Sequence, residues 1–315
     1  MKHIFIVNPA AGANDSTETI KAILKKHHPD IDYEVYTTVS SGDATQYIKS
    51  VLANSTQEYR FYACGGDGTL NEVINGSVGY ENASVAVYPC GSGNDYIKYY
   101  GSTQDFFDID TLINAPSLKV DILKVCDKYA INAVHFGLDS FVLKIMLKVR
   151  RFFLLGGKNA YTTGVITAFI GGMKTACTLF ADGKPVGEDK LLLCTLCNGK
   201  FVGGGYKCAP RSQNDDGLIE LCYVKPVSRL KFLTLMNTYK KGGHLEDPRF
   251  AKYLTYKRVK KIEIKSDNGV YISIDGELEK VYDCTVEIIP QAINFAVPEK
   301  LLAESKPKET AKSNQ

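Results

Sequence analysis

The chain has 315 residues, 44% of them hydrophobic, and a formal net charge of +3. That length and apolar content can bury two cores, which excludes a wholly disordered protein. The charge is too small for a nucleic-acid binder, yet suits phosphorylated ligands or an anionic membrane surface.

In chain order, short β-branched and aromatic runs at 3–7, 33–38, 59–64 and 84–89 alternate with helix-compatible runs at 17–27, 43–52 and 70–76. This alternation predicts a parallel sheet with crossover helices, an α/β three-layer domain. The first strand's apolar run of four residues is too short for a secretory signal core, which needs roughly 7–15. In parallel sheets ligands sit beyond the carboxyl ends of the strands. Three Gly-rich segments fall there: Asn8-Pro9-Ala10-Ala11-Gly12, Gly65-Gly66-Asp67-Gly68-Thr69 and Cys90-Gly91-Ser92-Gly93-Asn94-Asp95. Glycines let backbone amides approach phosphate oxygens, and Thr69 adds a hydroxyl donor. Asp67 among phosphates makes sense if it meets Mg2+ there. No Gly-x-x-x-x-Gly-Lys-Ser/Thr occurs, and Asn71 stands where a dinucleotide fingerprint needs its third glycine.

From about residue 119 the texture changes to short alternating runs separated by turns, which predicts a strand-rich, β-sandwich-like second domain. Helices are expected at 142–151 and 227–240, and the run 292–297 is expected to rejoin the first domain. The expected division is therefore 1–122 with 292–302, then 123–291, with a disordered tail at 303–315. Nine scattered cysteines read as reduced, buried thiols of a cytoplasmic protein, and alternation places Cys194 and Cys197 on opposite strand faces rather than at a metal. The longest uncharged stretch of interest, 159–173, is too short to span a bilayer, so any lipid is met from the water side. The basic and apolar run 144–155 fits an interfacial helix as well as an ordinary packed one. An exposed edge strand offers a route to a homodimer.

Two later turns carry acids. Asp275-Gly276-Glu277 follows a strand-like run and exposes carboxylates that can accept a proton from an attacking hydroxyl; Asp-Gly is equally a plain tight-turn signal. Asp215-Asp216-Gly217 is a turn signature too.

With Asn71-Glu72-Val73-Ile74-Asn75-Gly76 extending the central loop, the chain resembles the diacylglycerol kinase catalytic family, which shares its Gly-Gly-Asp-Gly-Thr motif with NAD kinases. The resemblance extends to Gly42-Asp43-Ala44, Gly91-Ser92-Gly93-Asn94-Asp95, Asp215-Asp216-Gly217-Leu218 and Ile274-Asp275-Gly276-Glu277. It implies an ATP-dependent lipid kinase, with diacylglycerol as acceptor, working peripherally at the inner face of the membrane. It implies ATP contacts from Asn8, Pro9, Gly12, Thr38, Gly66, Asp67, Gly68, Thr69, Leu70, Asn71, Glu72, Ser92 and Asp95, with Mg2+ accompanying the nucleotide. Glu277 or Asp275 would be the general base beside Asp67, and a second, structural Mg2+ would sit on Asp216 with Gln213 and Leu218. The family usually has Thr where Ser92 stands, an aromatic-Ala-Arg run where Tyr96-Ile97-Lys98 stands, and often Ser at Gln213. A soluble-acceptor kinase of the NAD-kinase kind and a nucleotide-binding regulator without turnover are the competing readings.

Overall fold

The computed structural model describes residues 1–12, 15–138, 140, 143–144, 174–187 and 190–305, with side chains to 302. The run 144–155 apart from 144, all of 159–173 and the tail from 306 therefore lie outside the described residues, as does the helix expected at 142–151 apart from 143–144.

The first unit alternates β1 (Lys2–Val7), α1 (Thr17–His27), β2 (Tyr33–Thr37), α2 (Asp43–Leu52), β3 (Tyr59–Gly65), α3 (Asp67–Ser77) and β4 (Ala83–Pro89). The strands pair in parallel in the order β2-β1-β3-β4. Every residue of β3 and β4 is buried, as expected of parallel strands covered on both faces. Helix α3 begins three residues earlier than the apolar pattern indicates, because Gly66 is extended and releases the chain directly into a turn led by Asp67.

After the short helix α4 (Ile109–Ile113), the strands β5 (Ser117–Val125), β6 (Lys128–Ala130), β7 (Ala133–Gly137), β8 (Thr175–Ala176), β9 (Thr178–Ala181), β10 (Lys184–Val186), β11 (Lys190–Leu191), β12 (Leu193–Cys197) and β13 (Ile219–Val224) follow. Then come helix α5 (Arg229–Lys240), β14 (Leu254–Val259), β15 (Lys261–Ile274), β16 (Glu277–Ala296) and helix α6 (Glu299–Ser305). Both β15 and β16 run through residues that commonly end a strand. Each is one strand with a register shift, after Lys265 and after Ile289, where the Asp267-Asn268-Gly269 and Pro290 breakers sit in bulges.

One sheet path, β14-β13-β12-β7-β15-β16-β4-β3-β1-β2, runs through both units. β16 makes the join: its first half pairs with β15, and Asn294 and Phe295 pair in parallel with Ser84 and Val85 of β4. Three buried clusters result: one around the parallel sheet, one inside the sandwich, and one beneath α5. Cys194 belongs to the second and Cys197 to the third, so the two thiols do point to opposite faces. All nine cysteines are free. Among the described residues no helix is long and apolar enough to cross a membrane.

Candidate active site

The three Gly-rich loops meet at the carboxyl edge of the parallel strands. A Cβ on Gly91 would lie 2.4 Å from Gly66 Cα, and one on Gly12, whose φ is +83°, would lie 2.3 Å from the Cys90 carbonyl oxygen. Loop-to-loop contact this close is open only to glycine. Asn8 Nδ2 donates to Thr69 Oγ1 at 3.2 Å, fixing the first loop to the start of α3.

Asp67 leads α3 and accepts the Asp95 amide at 2.7 Å. Its other oxygen faces Gly93, 2.4 Å from where a Cβ would stand. Burial first, and then the charges of Asp95 and Asp275, push the Asp67 carboxyl up to about 6; the Asp95 amide and Lys98 pull the other way. Asp95 is buried, ion-paired to Lys98 at 2.7 Å and bonded to the Gly204 amide at 2.7 Å. Lys98 is thus spent on Asp95. Ser92 is exposed on the same loop.

Asp275 and Gly276 form a two-residue hairpin turn between β15 and β16, with φ of +46° and +99° and Ile274 paired to Glu277. The tripeptide is thus a tight hairpin turn, as its Asp-Gly signals. Asp275 accepts the amides of Ile131 (2.7 Å), Asn132 (3.1 Å) and Ala133 (2.8 Å), and Asn71 Nδ2 (3.1 Å). Burial raises its pKa, and these donors oppose the rise. Glu277 is exposed, with Oε1 3.9 Å from the position of a Cβ on Gly68 at the start of α3.

Not every residue expected at the nucleotide faces it. Glu72 turns its carboxylate to α2, accepting the amides of Gly42 (2.9 Å) and Ala44 (3.2 Å). Asn71 is spent on Asp275 and on the Tyr129 carbonyl at 2.9 Å, and buried Leu70 lines a cavity. Thr38 is buried at the end of β2, with its amide and hydroxyl on the Val7 carbonyl. Pro9 is exposed within the first loop.

At the turn expected to hold a second metal, the side chains have protein partners or face solvent. Gln213 is exposed, and Asp216 is ion-paired to Arg258 and accepts the Leu218 amide at 3.0 Å. Arg258 also pairs with buried Glu220 at 3.0 Å. Among the described residues no group of three or more His, Cys, Asp or Glu side chains is arranged to hold a metal. Asp121, which sequence reasoning missed, holds the turn: it accepts the amides of Gly217 (2.7 Å) and Gln291 (2.8 Å).

Between the units lies a cavity of about 400 Å3. Its lining includes Asp67, Ser92, Asp95 and Asp275 together with the apolar Leu192, Val224, Phe232, Leu235, Met236 and Phe250. No local motif signals it, because its walls come from distant strands and from α5.

The diacylglycerol kinase catalytic domain family matches residues 2–125, and the YegS C-terminal NAD kinase beta sandwich-like domain matches 132–297. The chain is 29% identical over 282 residues to the diacylglycerol kinase of Bacillus subtilis, covering 86% of this chain and 88% of that one. It is 26% identical over 289 residues to a protein of Shewanella frigidimarina named "Probable lipid kinase YegS-like", covering 90% and 89%. In fold it is similar to the crystal structure of a diacylglycerol kinase from Bacillus anthracis, with a TM-score of 0.67, 21% identity and coverage of 95% and 98%. An NAD kinase from Archaeoglobus fulgidus in complex with ATP shares the fold at a TM-score of 0.50 and 12% identity, with 96% of each chain covered.

Proposed function

Since this chain belongs to the lipid kinase family that joins a diacylglycerol kinase catalytic domain to a YegS-type β-sandwich, we propose that it transfers the γ-phosphoryl group of ATP to the hydroxyl of a lipid, with diacylglycerol as acceptor. The observation that carries this is the cavity: its lining is mostly apolar side chains but also includes Asp67, Asp95 and Asp275 and residues of the Gly-rich loops. Such a shape suits a molecule with a long apolar body and one reacting polar end.

The nucleotide phosphates lie against the amides at the start of α3 and the backbones of Gly12, Gly66 and Gly91, where glycine admits close approach. Because Thr69 Oγ1 already accepts from Asn8, its proton is left to donate to a phosphate oxygen. Asp67 and Asp95 fit a Mg2+ brought by ATP: burial first, and then their mutual repulsion, lifts the Asp67 pKa, and a cation relieves that repulsion. Bound there, it would neutralise charge on the phosphates.

The lipid hydroxyl gives its proton to Glu277 as its oxygen bonds to the γ-phosphorus and the bond to the β-phosphate oxygen breaks, releasing ADP. Glu277 is preferred to Asp275 because the oxygens of Asp275 already accept four donors. Asp275 instead positions the turn. Glu277→Gln is expected to lower kcat by about 100-fold or more with a small change in KM for ATP.

The test is a panel of lipids in mixed micelles, with NAD as a soluble competitor acceptor, ATP as donor and mass detection of the phosphorylated product. A phosphorylated lipid supports the reading. Phosphorylated NAD alone, or ATP binding with no product from any acceptor, sinks it.

A further inference from the structure

Helix α5 has two unlike faces. Phe232, Leu235, Met236 and Tyr239, at helical spacing, all line the cavity. On the other side Leu230 is 78% exposed and Leu233 53% exposed, two large apolar side chains one turn apart. Single exposed leucines are ordinary on soluble proteins, but this pair sits on the outer wall of an apolar cavity.

The charge around the pair is one-sided. From 221 to 245 the chain holds Lys225, Arg229, Lys231, Lys240 and Lys241, and no Asp or Glu. Lys231 lies over the Tyr253 ring and Lys240 over the Tyr206 ring, so these two cations are placed on aromatic faces. The nearest acids in sequence past the helix are Glu246, paired with Arg211, and Asp247, paired with Arg249 and close enough to Lys231 to feel its charge. On the inner side, Tyr206 lines the same cavity as α5. Apolar side chains amid cations are the pattern of a segment lying in the headgroup boundary of an anionic membrane.

We propose that α5 is the membrane-docking element of this protein: Leu230 and Leu233 insert at the surface of an anionic lipid bilayer, the surrounding cations bind its headgroups, and the inner face of the same helix receives the lipid. The proposal rests on the lipid-kinase reading for the last step only. It places membrane contact on α5 rather than on the run 144–155, where the sequence pattern alone suggested it. Charge complementarity decides the occupant, since a second copy of this chain would bring the same cations against these.

The test compares the full-length protein with Leu230→Glu/Leu233→Glu and with Lys231→Glu/Lys241→Glu. Binding is read by sedimentation with phosphatidylcholine vesicles in which about a third of the lipid is anionic. The unsubstituted protein is expected to bind these vesicles, to bind neutral ones weakly, and to be released by salt. Either double variant should lose at least about tenfold in partitioning, with an unchanged melting temperature. Transfer to vesicle-borne acceptor should fall in parallel, while transfer to a short-chain acceptor dispersed in water should not.

Equal partitioning of the leucine variant and the unsubstituted protein would overturn the proposal. So would a lipid-free dimer, seen by sedimentation velocity, that the leucine variant abolishes. If no acceptor is phosphorylated in either format, the kinase reading fails while the vesicle-binding arm still decides the docking surface.

Discussion

Asp67 concentrates the tension in the site. A carboxyl of ordinary pKa near 3.8 is pushed up to about 6 by burial and by two neighbouring acids. The folded state therefore binds the Asp67 proton more tightly than the unfolded chain does. Stability from this group is fully present below about pH 4 and is lost as the pH rises to about 6; above that, the ionised carboxylate costs about 3 kcal/mol. Asp67→Asn, which keeps an oxygen for the Asp95 amide, is expected to stabilise the ligand-free protein at pH 7 by about 1–3 kcal/mol and to flatten the decline between pH 4 and 6. Denaturant titrations across that range check it. Phosphoryl transfer should be abolished in the same variant. Full activity would remove Asp67 from the mechanism.

Elements are tied by side chains that look functional from the sequence alone. Glu72 follows the Gly-rich motif closely enough to be counted with it, yet it serves as a remote N-cap of α2, supplying oxygens to the amides of Gly42 and Ala44 from 30 and 28 residues away. Ordinary local capping is absent there, since Gly42 has no side chain. Glu72→Ala is expected to cost about 1–2 kcal/mol of stability and to leave the KM for ATP within about twofold, which thermal melts and steady-state kinetics separate. The Gly66–Gly91 contact behaves oppositely. Gly91→Ala drives a methyl into Gly66, so it should destabilise by about 1–3 kcal/mol and also weaken ATP binding, measured by calorimetry. The first effect was hidden in the sequence because a cap need not be local. The second was legible because close backbone approach leaves a run of glycines.

At the scale of the whole molecule, Asp275 and β16 hold the two units together. Asp275 collects three amides that follow β6 and the side chain of Asn71, 204 residues away on α3. Asp275→Ala leaves those buried amides without an acceptor, and each such loss costs about 1–3 kcal/mol. The variant is expected to lose at least about 3 kcal/mol and to unfold in two separated transitions, visible by calorimetry; a single transition with unchanged midpoint would refute this role. Because Asn71 and Tyr129 share the network, the damage should reach α3 as well as the hairpin.

The sequence by itself determined the parallel α/β unit, the strand-rich unit after it, and the three Gly-rich loops. Each depends on local properties: a period of two or 3.6, or a backbone that only glycine can follow. Even the Asp275-Gly276 turn was readable, since positive φ at consecutive residues has a local signature. What the tertiary structure alone decided is where long-range partners fall. It put Arg258 against Asp216, 42 residues away, and tied the turn to Asp121. It joined β15 and β16 across their breakers, because bulges absorb a Pro or an Asn-Gly that local pattern reads as an end. It also assembled the cavity and gave α5 both an inner and an outer apolar face. The helix pattern shows that such faces exist; only packing fixes which one meets the cavity and which one meets the solvent.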